Sequence, residues 1–393
     1  MRSVVCLLVA ANAAAYRVSF LRHGAPKMQY EVQAPMVKVF GETQEYKFMT
    51  LQPTFTVADW TKTKTIMEDY LACARTETSG CMYCGWSISG DQLFCRVAHV
   101  DGVAVLDHLQ NVGECLDKLL AAGVATLDEI SLHGPADELT TCKAAIDAMG
   151  SGQSAPPPPP PPPKEETTSK GLFGLFGGGA SPPPPRPRGN GPAPATAARL
   201  QELTQYYEID SGISFITKET GGVSMGQRLV TQQQSFQVSD WAKAKVAMDG
   251  LVEAAEKEGG CVYFGWTRCG DELFCREAYT SAKGLLSHLD DVWTSPDAKG
   301  NDITCMMQQL TAPGVATIVR TQIHGPMAQV QLLKTSFTTY GLGGSRPKSQ
   351  FDSPVDLAVT NEAAVARAKE VVYFNLDSGF QRYEAVRLGG FES

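Results

Sequence analysis

With 393 residues, the chain is about twice the size of a typical domain, so two domains are expected rather than one. A net charge of −8 argues against a nucleic-acid binder, which needs a basic surface to displace phosphate counterions. Eleven cysteines spread along the chain are too sparse for a small secreted disulfide scaffold, and 43% hydrophobic residues suffice for real cores.

Arg2 precedes an apolar run over 4–15 that ends in Ala13, Ala14 and Ala15. This is the pattern of a signal peptide, and it is too short to span a bilayer comfortably. Residues 16–45 form an N-terminal extension. Its first part carries Arg17, Arg22, His23 and Lys27 and no acid up to Met28, a transit-like composition. The arrangement resembles the bipartite presequences of algae with complex plastids, with Tyr16 after the cleavage point. Plastid import and plain secretion both stay open.

Residues 49–57 alternate in polarity and predict a strand. Asp59 is placed to N-cap a helix that begins at Trp60. Met67, Tyr70, Leu71 and Ala74 recur at helical spacing, and 78–80 end the helix. Segments 81–88 and 92–99 predict a hairpin about Gly90-Asp91. A second helix is expected over 103–121, with the stripe Val105, Leu109, Val112 and Leu116. A strand over 125–132, a helix over 136–149 and a strand over 205–213 close the unit.

The unit then repeats. Phe55-Thr-Val-Ala-Asp59-Trp60 returns as Phe236-Gln-Val-Ser-Asp240-Trp241. Positions 81–112 and 261–292 share 15 of 32 residues without a gap. His133-Gly-Pro135 returns as His324-Gly-Pro326, and the Asp-Ser-Gly ending at Gly212 returns ending at Gly379. The histidine of each His-Gly-Pro is read as a turn or cap residue. The organisation is therefore repeat 1 over 46–150, a Pro/Gly-rich insert over 151–200, and the last strand of repeat 1 with a connector over 201–226. Repeat 2 follows over 227–345, and 346–393 carries its last strand. The insert holds eight consecutive prolines, 156–163, which favour a stiff polyproline II rod.

Phe274-Cys-Arg-Glu-Ala-Tyr279, then Ser281 and the helix Leu285-Leu-Ser-His288-Leu289, resemble the antibiotic biosynthesis monooxygenase (ABM) domain. Repeat 1 keeps the helix histidine as His108 but has Val97 and His99 where repeat 2 has Glu277 and Tyr279. The resemblance implies an α+β fold: two ferredoxin-like βαββαβ repeats pairing sheet to sheet as an intramolecular dimeric α+β barrel. The expected state is a monomer. The resemblance also implies a small aromatic or quinol-like ligand, oxidised without metal or organic cofactor.

His288 and His108 lie beside their apolar stripes, so each is expected in the helix–sheet cleft. They are the catalytic candidates, since imidazole titrates near neutrality; a core histidine bonded to backbone is the other reading. Trp266, Tyr279, Glu277 and Trp86 are the ligand-binding candidates. The tryptophans serve equally well as core fillers, and Glu277 could pair with a basic side chain. Cys81 and Cys84 form the single CxxC, without a second pair to complete a zinc site. Residues i and i+3 of a strand face opposite ways, so buried free thiols are expected and no metal. Two functions stand: ligand binding with cofactor-independent oxidation, or a non-catalytic scaffold that uses the barrel and the proline-rich arm to dock a protein partner.

Overall fold

The computed structural model describes residues 36–39, 42–45, 48–77, 80–152, 189–214, 229–258, 260–294, 306–340 and 370–381. The signal-like segment, most of the extension and the proline runs lie outside the described residues. Repeat 1 runs β3 (Met49–Val57), α1 (Trp60–Arg75), β4 (Cys81–Ser89), β5 (Gln92–His99), α2 (Gly102–Asn111), α3 (Gly113–Leu119), β6 (Ala125–Gly134), α4 (Ala136–Gly150), α5 (Pro194–Leu203) and β7 (Thr204–Ser214). It is preceded by β1 (Met36–Val39) and β2 (Glu42–Glu45). Repeat 2 runs β8 (Val230–Val238), α6 (Trp241–Glu256), β9 (Cys261–Cys269), β10 (Glu272–Tyr279), α7 (Ala282–Thr294), α8 (Met306–Leu310), β11 (Ala316–Gly325), α9 (Met327–Tyr340) and β12 (Val371–Gln381). Among the described residues, no helix is long and apolar enough to cross a membrane.

Local chemistry accounts for the boundaries. Asp59 accepts from the Lys62 amide at 3.1 Å, and Asp240 from the Lys243 amide at 3.1 Å, which satisfies one free donor at each helix start. Gly90 and Gly270 turn the hairpins at φ 61° and 59°, a region that favours glycine.

Three features depart from the sequence expectation. The helix expected over 103–121 is two helices, broken at Val112. The chain entering α5 crosses at the break: the Gly191 amide donates to the Gln110 carbonyl at 3.2 Å. A Cβ on Gly113 would stand 2.2 Å from the Gly191 carbonyl carbon. The end of the 151–200 insert is helical, because Pro194 opens α5 and Ala197 and Leu200 bury one face. A β1–β2 hairpin extends along β7 within the region read as an N-terminal extension.

Among the described residues, twelve strands form one sheet in the order β2-β1-β7-β6-β3-β5-β4-β12-β11-β8-β10-β9, and β7 also pairs with β9. Leaving β1 and β2 outside, ten strands close into a barrel with the helices around it. Two sheets facing each other were expected, but the hydrogen bonding is continuous around the ring. The last strand of each repeat changes partner halfway. β7 runs parallel to β6 from Thr204 to Glu208, then antiparallel to β9 from Glu208 to Ser214. β12 runs parallel to β11 from Val371 to Asn375, then antiparallel to β4 from Asn375 to Gln381.

Each seam places glycine opposite glycine: Gly212 faces Gly265, and Gly379 faces Gly85. A Cβ on Gly212 would stand 2.6 Å from the Phe264 carbonyl oxygen, and one on Gly379 would stand 2.7 Å from that of Cys84. Side chains alternate between an outer, helix-covered face and a lumen. Met49, Leu51, Phe55, Trp86 and Val97 join the outer core of repeat 1; Val230, Phe236, Trp266 and Tyr279 join that of repeat 2.

The lumen is polar and aromatic. His133 Nδ1 meets Thr267 Oγ1 at 2.8 Å, and His324 Nδ1 meets Ser87 Oγ at 3.0 Å. His133 stacks on Tyr207 with centroids 4.8 Å apart, and His324 on Phe374 at 4.6 Å. The His-Gly-Pro histidines are therefore inter-repeat contacts rather than turn caps.

The seam geometry makes a prediction. Gly212→Ala and Gly379→Ala should each destabilise the chain by about 1–3 kcal/mol, the usual cost of overpacking. Urea denaturation should show this as one cooperative transition independent of protein concentration, because both seams close within one chain. Wild-type stability in both variants would exclude the close approach.

Candidate functional site

In repeat 2 the outer face of β10 meets α7. Ser281 Oγ accepts from the Gly284 amide at 3.2 Å and starts the helix, and His288 follows Leu285 by three residues on its buried side. His288 Nδ1 lies 2.7 Å from Glu258 Oε1, just past the end of α6. Its Nε2 lies 3.4 Å from Glu277 Oε2. Tyr279 Oη donates to Glu277 Oε2 at 2.9 Å, and Gln232 Nε2 donates to Oε1 at 3.2 Å. Glu277 is 3% exposed and His288 2%. Burial pushes the Glu277 carboxyl above the usual range, and the His288 charge opposes this only in part. Burial, then the neighbouring Glu277, holds the Tyr279 phenol well above its ordinary value.

The proton count around His288 is informative. Nδ1–H donates to the Glu258 carboxylate, so Nε2 faces the Glu277 carboxyl oxygen. At 3.4 Å the imidazole and the carboxyl face each other as an acid–base pair, with Tyr279, Gln232 and Glu258 around them.

Repeat 1 solves the same position differently. His108 Nδ1 is 2.9 Å from Glu77 Oε1, and Tyr70 Oη lies 2.7 Å from Nε2. With Nδ1–H given to the carboxylate, Tyr70 donates to Nε2 and fills it. Asn111 Nδ2 donates to Glu77 Oε1 at 2.8 Å. Leu51 and Val97 stand where repeat 2 has Gln232 and Glu277. His99 takes the place of Tyr279. It is fully buried, and neither ring nitrogen has a hydrogen-bond partner among the described residues. Burial, then His108, holds its imidazole well below the ordinary value. A cavity of about 10 Å³ lies beside Tyr70 among Leu51, Phe55, Leu109 and Ile130.

Both expected histidines thus lie in the clefts, and His288, Glu277 and Tyr279 form one cluster. Trp86 and Trp266 are each 1% exposed. Trp86 packs edge-on against Tyr70 at 5.0 Å, and Trp266 against Phe264 at 5.6 Å, so both are core residues in this conformation. Cys81 and Cys84 share the outer core of repeat 1. A register shift between Cys81 and Tyr83 brings them to one face, contrary to the strand alternation expected. The described cysteines are free thiols.

Glu77, Cys81 and His99 bring an oxygen, a sulfur and a nitrogen within 4.8 Å of one another. Their atom types are those zinc accepts. This is the one such set among the described residues, and the CxxC reading missed it because Glu77 and His99 lie on other elements. Glu77 and Glu258 themselves had a usable signal: both copies keep a glutamate between the first helix and the hairpin.

Burial of Glu277 makes a pH prediction. Its folded-state pKa is raised above the unfolded 4.5. The wild type is therefore favoured most below that value and loses stability as pH rises through the folded pKa. Glu277→Gln removes this term. Urea midpoints across pH should show the variant gaining on the wild type from pH 4.5 upward. A constant gap would place the carboxyl in contact with water, and one of opposite slope would make it the carboxylate partner of a protonated His288.

No protein-family model matches the chain, and no curated protein matches it. Solved structures similar to it include MupZ from Pseudomonas fluorescens, 22% identical at TM-score 0.27, over 40% of this chain and 97% of that one. A provisionally assigned monooxygenase from Fusobacterium nucleatum subsp. nucleatum is 10% identical at TM-score 0.36, over 71% and 91%. An anthrone oxidase-like protein is 10% identical at TM-score 0.33, over 70% and 93%.

Proposed function

We propose that the repeat 2 cleft binds a small aromatic or quinol-like molecule and oxidises it with dioxygen, with the His288–Glu277 pair as the proton acceptor. The fold reading that goes with it is two ferredoxin-like halves forming an intramolecular dimeric α+β barrel. The observation that carries the function is the buried contact between His288 Nε2 and Glu277 Oε2, 3.4 Å apart. The rest of the fold does not require it, because repeat 1 builds the same cleft with Leu51 and Val97 there.

A phenol brought to this pair loses its proton to it, and the anion passes an electron to oxygen far more readily than the neutral form. Dioxygen is the oxidant and the substrate supplies the electrons, so the scheme needs no resident cofactor. Glu258 fixes the tautomer of His288, and Tyr279 and Trp266 form the walls. His288 is 2% exposed, so this reading requires α7 to move away from the sheet to admit a ring. His108 is the weaker candidate because Tyr70 already occupies its Nε2. The chain would act as a monomer after entering the secretory route, with a plastid or the exterior as its destination.

The scaffold reading draws support from the same closure, since all the candidate side chains are core-packed. Oxygen uptake with a panel of quinols separates the two. His288→Ala should lower turnover by about 10²–10³-fold, the range for a lost general base, and His108→Ala should change it far less. No uptake above background with any quinol, together with a sharp fall in melting temperature for His288→Ala, would make the histidine structural and the barrel a scaffold.

A further inference from the structure

The lumen carries a second constellation, separate from the clefts. Arg96 on β5 lies with its guanidinium 5.1 Å from the centroid of the Tyr83 ring. That ring folds along its own strand over Gly85, where a Cβ would stand 2.2 Å from Tyr83 Oη. Repeat 2 builds the same stack from Arg276, Tyr263 and Gly265, with the guanidinium 4.9 Å from the ring centroid. Arg276 also donates to Thr50 Oγ1 of repeat 1.

Among the described residues, no carboxylate lies within ion-pair distance of Arg96. Its surroundings oppose its charge: burial disfavours it most, Tyr83 helps it, and the like charge of Arg276 disfavours it further. Beside Arg96 lies a cavity of about 20 Å³ lined by Tyr83, Ser87, Phe94, Thr231 and His324.

Among the described residues, several lumen groups have no partner: Thr231 Oγ1, His324 Nε2 and both amide atoms of Gln52 and Gln233 are buried without hydrogen bonds. Gln52, Gln233 and Thr231 are each 2% exposed. A buried polar atom left unpaired is costly, so this concentration calls for a ligand or solvent.

The duplication supplies an independent argument. Beside the cleft histidines the copies have diverged, with Leu51 against Gln232, Val97 against Glu277 and His99 against Tyr279, while the outer core keeps Phe55 and Phe236, and Trp86 and Trp266. The lumen layer has kept its chemistry: Thr50 and Thr231, Gln52 and Gln233, Tyr83 and Tyr263, Phe94 and Phe274, Arg96 and Arg276, His133 and His324.

We infer that the barrel lumen is a binding site for a small organic carboxylate, held by Arg96 with Tyr83, Thr231 and His324. The planar guanidinium fork matches a carboxylate. Phe94 and His324, which stacks on Phe374, wall the cavity, whose roughly 20 Å³ restricts the ligand to the smallest carboxylates. The anion would offset the two arginines and complete the hydrogen bonding of Thr231 and His324.

The test uses the full chain at neutral pH with sodium acetate as the probe and sodium chloride at equal ionic strength as the reference. Acetate should raise the melting temperature saturably in the wild type and in Arg199→Gln, a surface control. The rise should vanish in Arg96→Gln. Calorimetry should give one site per chain, with affinity about tenfold weaker in Tyr83→Phe, the loss of one hydrogen bond to a charged group. That variant keeps the ring beneath the guanidinium, so the test survives if Arg96→Gln fails to fold. A rise no larger than that with chloride, an equal rise in Arg96→Gln or unchanged affinity in Tyr83→Phe would leave the lumen to water alone. A larger effect of inorganic phosphate would overturn the carboxylate assignment.

Discussion

Two glycine-on-glycine contacts govern this architecture. Where β7 crosses to β9 and β12 crosses to β4, the backbones approach until a single Cβ would meet a carbonyl oxygen at 2.6 Å or 2.7 Å. That approach lets the last strand of each repeat pair first with its own sheet and then with the other. A sheet with a free edge is a template for association, and here the edges of the ten barrel strands are consumed by the other half of the same chain. The glycines at 85 and 265 also make room for the Tyr83 and Tyr263 rings, so seam closure and guanidinium placement depend on the same residues.

Closure separates two chemical spaces on one set of strands. On β10, Arg276 enters the lumen and Glu277 enters the helix-covered cleft. Neighbouring residues in a strand face opposite ways, and a slip of one residue would exchange them. The duplicated register is thus held by polar groups as well as apolar ones. Lys245 on α6 lies 3.0 Å from Asp210 on β7, and Tyr207 Oη donates to Glu272 at 2.7 Å. Both contacts join one repeat to the other.

The two clefts act as each other's control. Repeat 1 shows that the fold closes with leucine and valine at the positions of Gln232 and Glu277. The buried acid of repeat 2 is therefore an added cost, because removing a carboxyl from water is unfavourable unless its hydrogen bonds are made. Four partners surround it: Tyr279, Gln232 and Cys275 as donors, and His288 at ion-pair distance. Perturbed acids of this kind concentrate at functional sites.

The sequence by itself determined the duplication, the order of strands and helices within a copy, the Asp59 and Asp240 caps and the cleft position of His108 and His288. These follow from residue spacing within one element, where periodicity and capping act over a few neighbours. It did not determine the ring, the break at Val112 or the helix from Pro194, which depend on a distant segment lying against another. Nor did it bring Glu77 and Glu258 to the cleft histidines, or Glu77 and His99 to Cys81. The arginine-on-tyrosine stacks were present as repeated letters, but their common lumen was not legible. Only tertiary structure decided these contacts, because strand pairing and helix packing join residues whose separation along the chain carries no periodic signal.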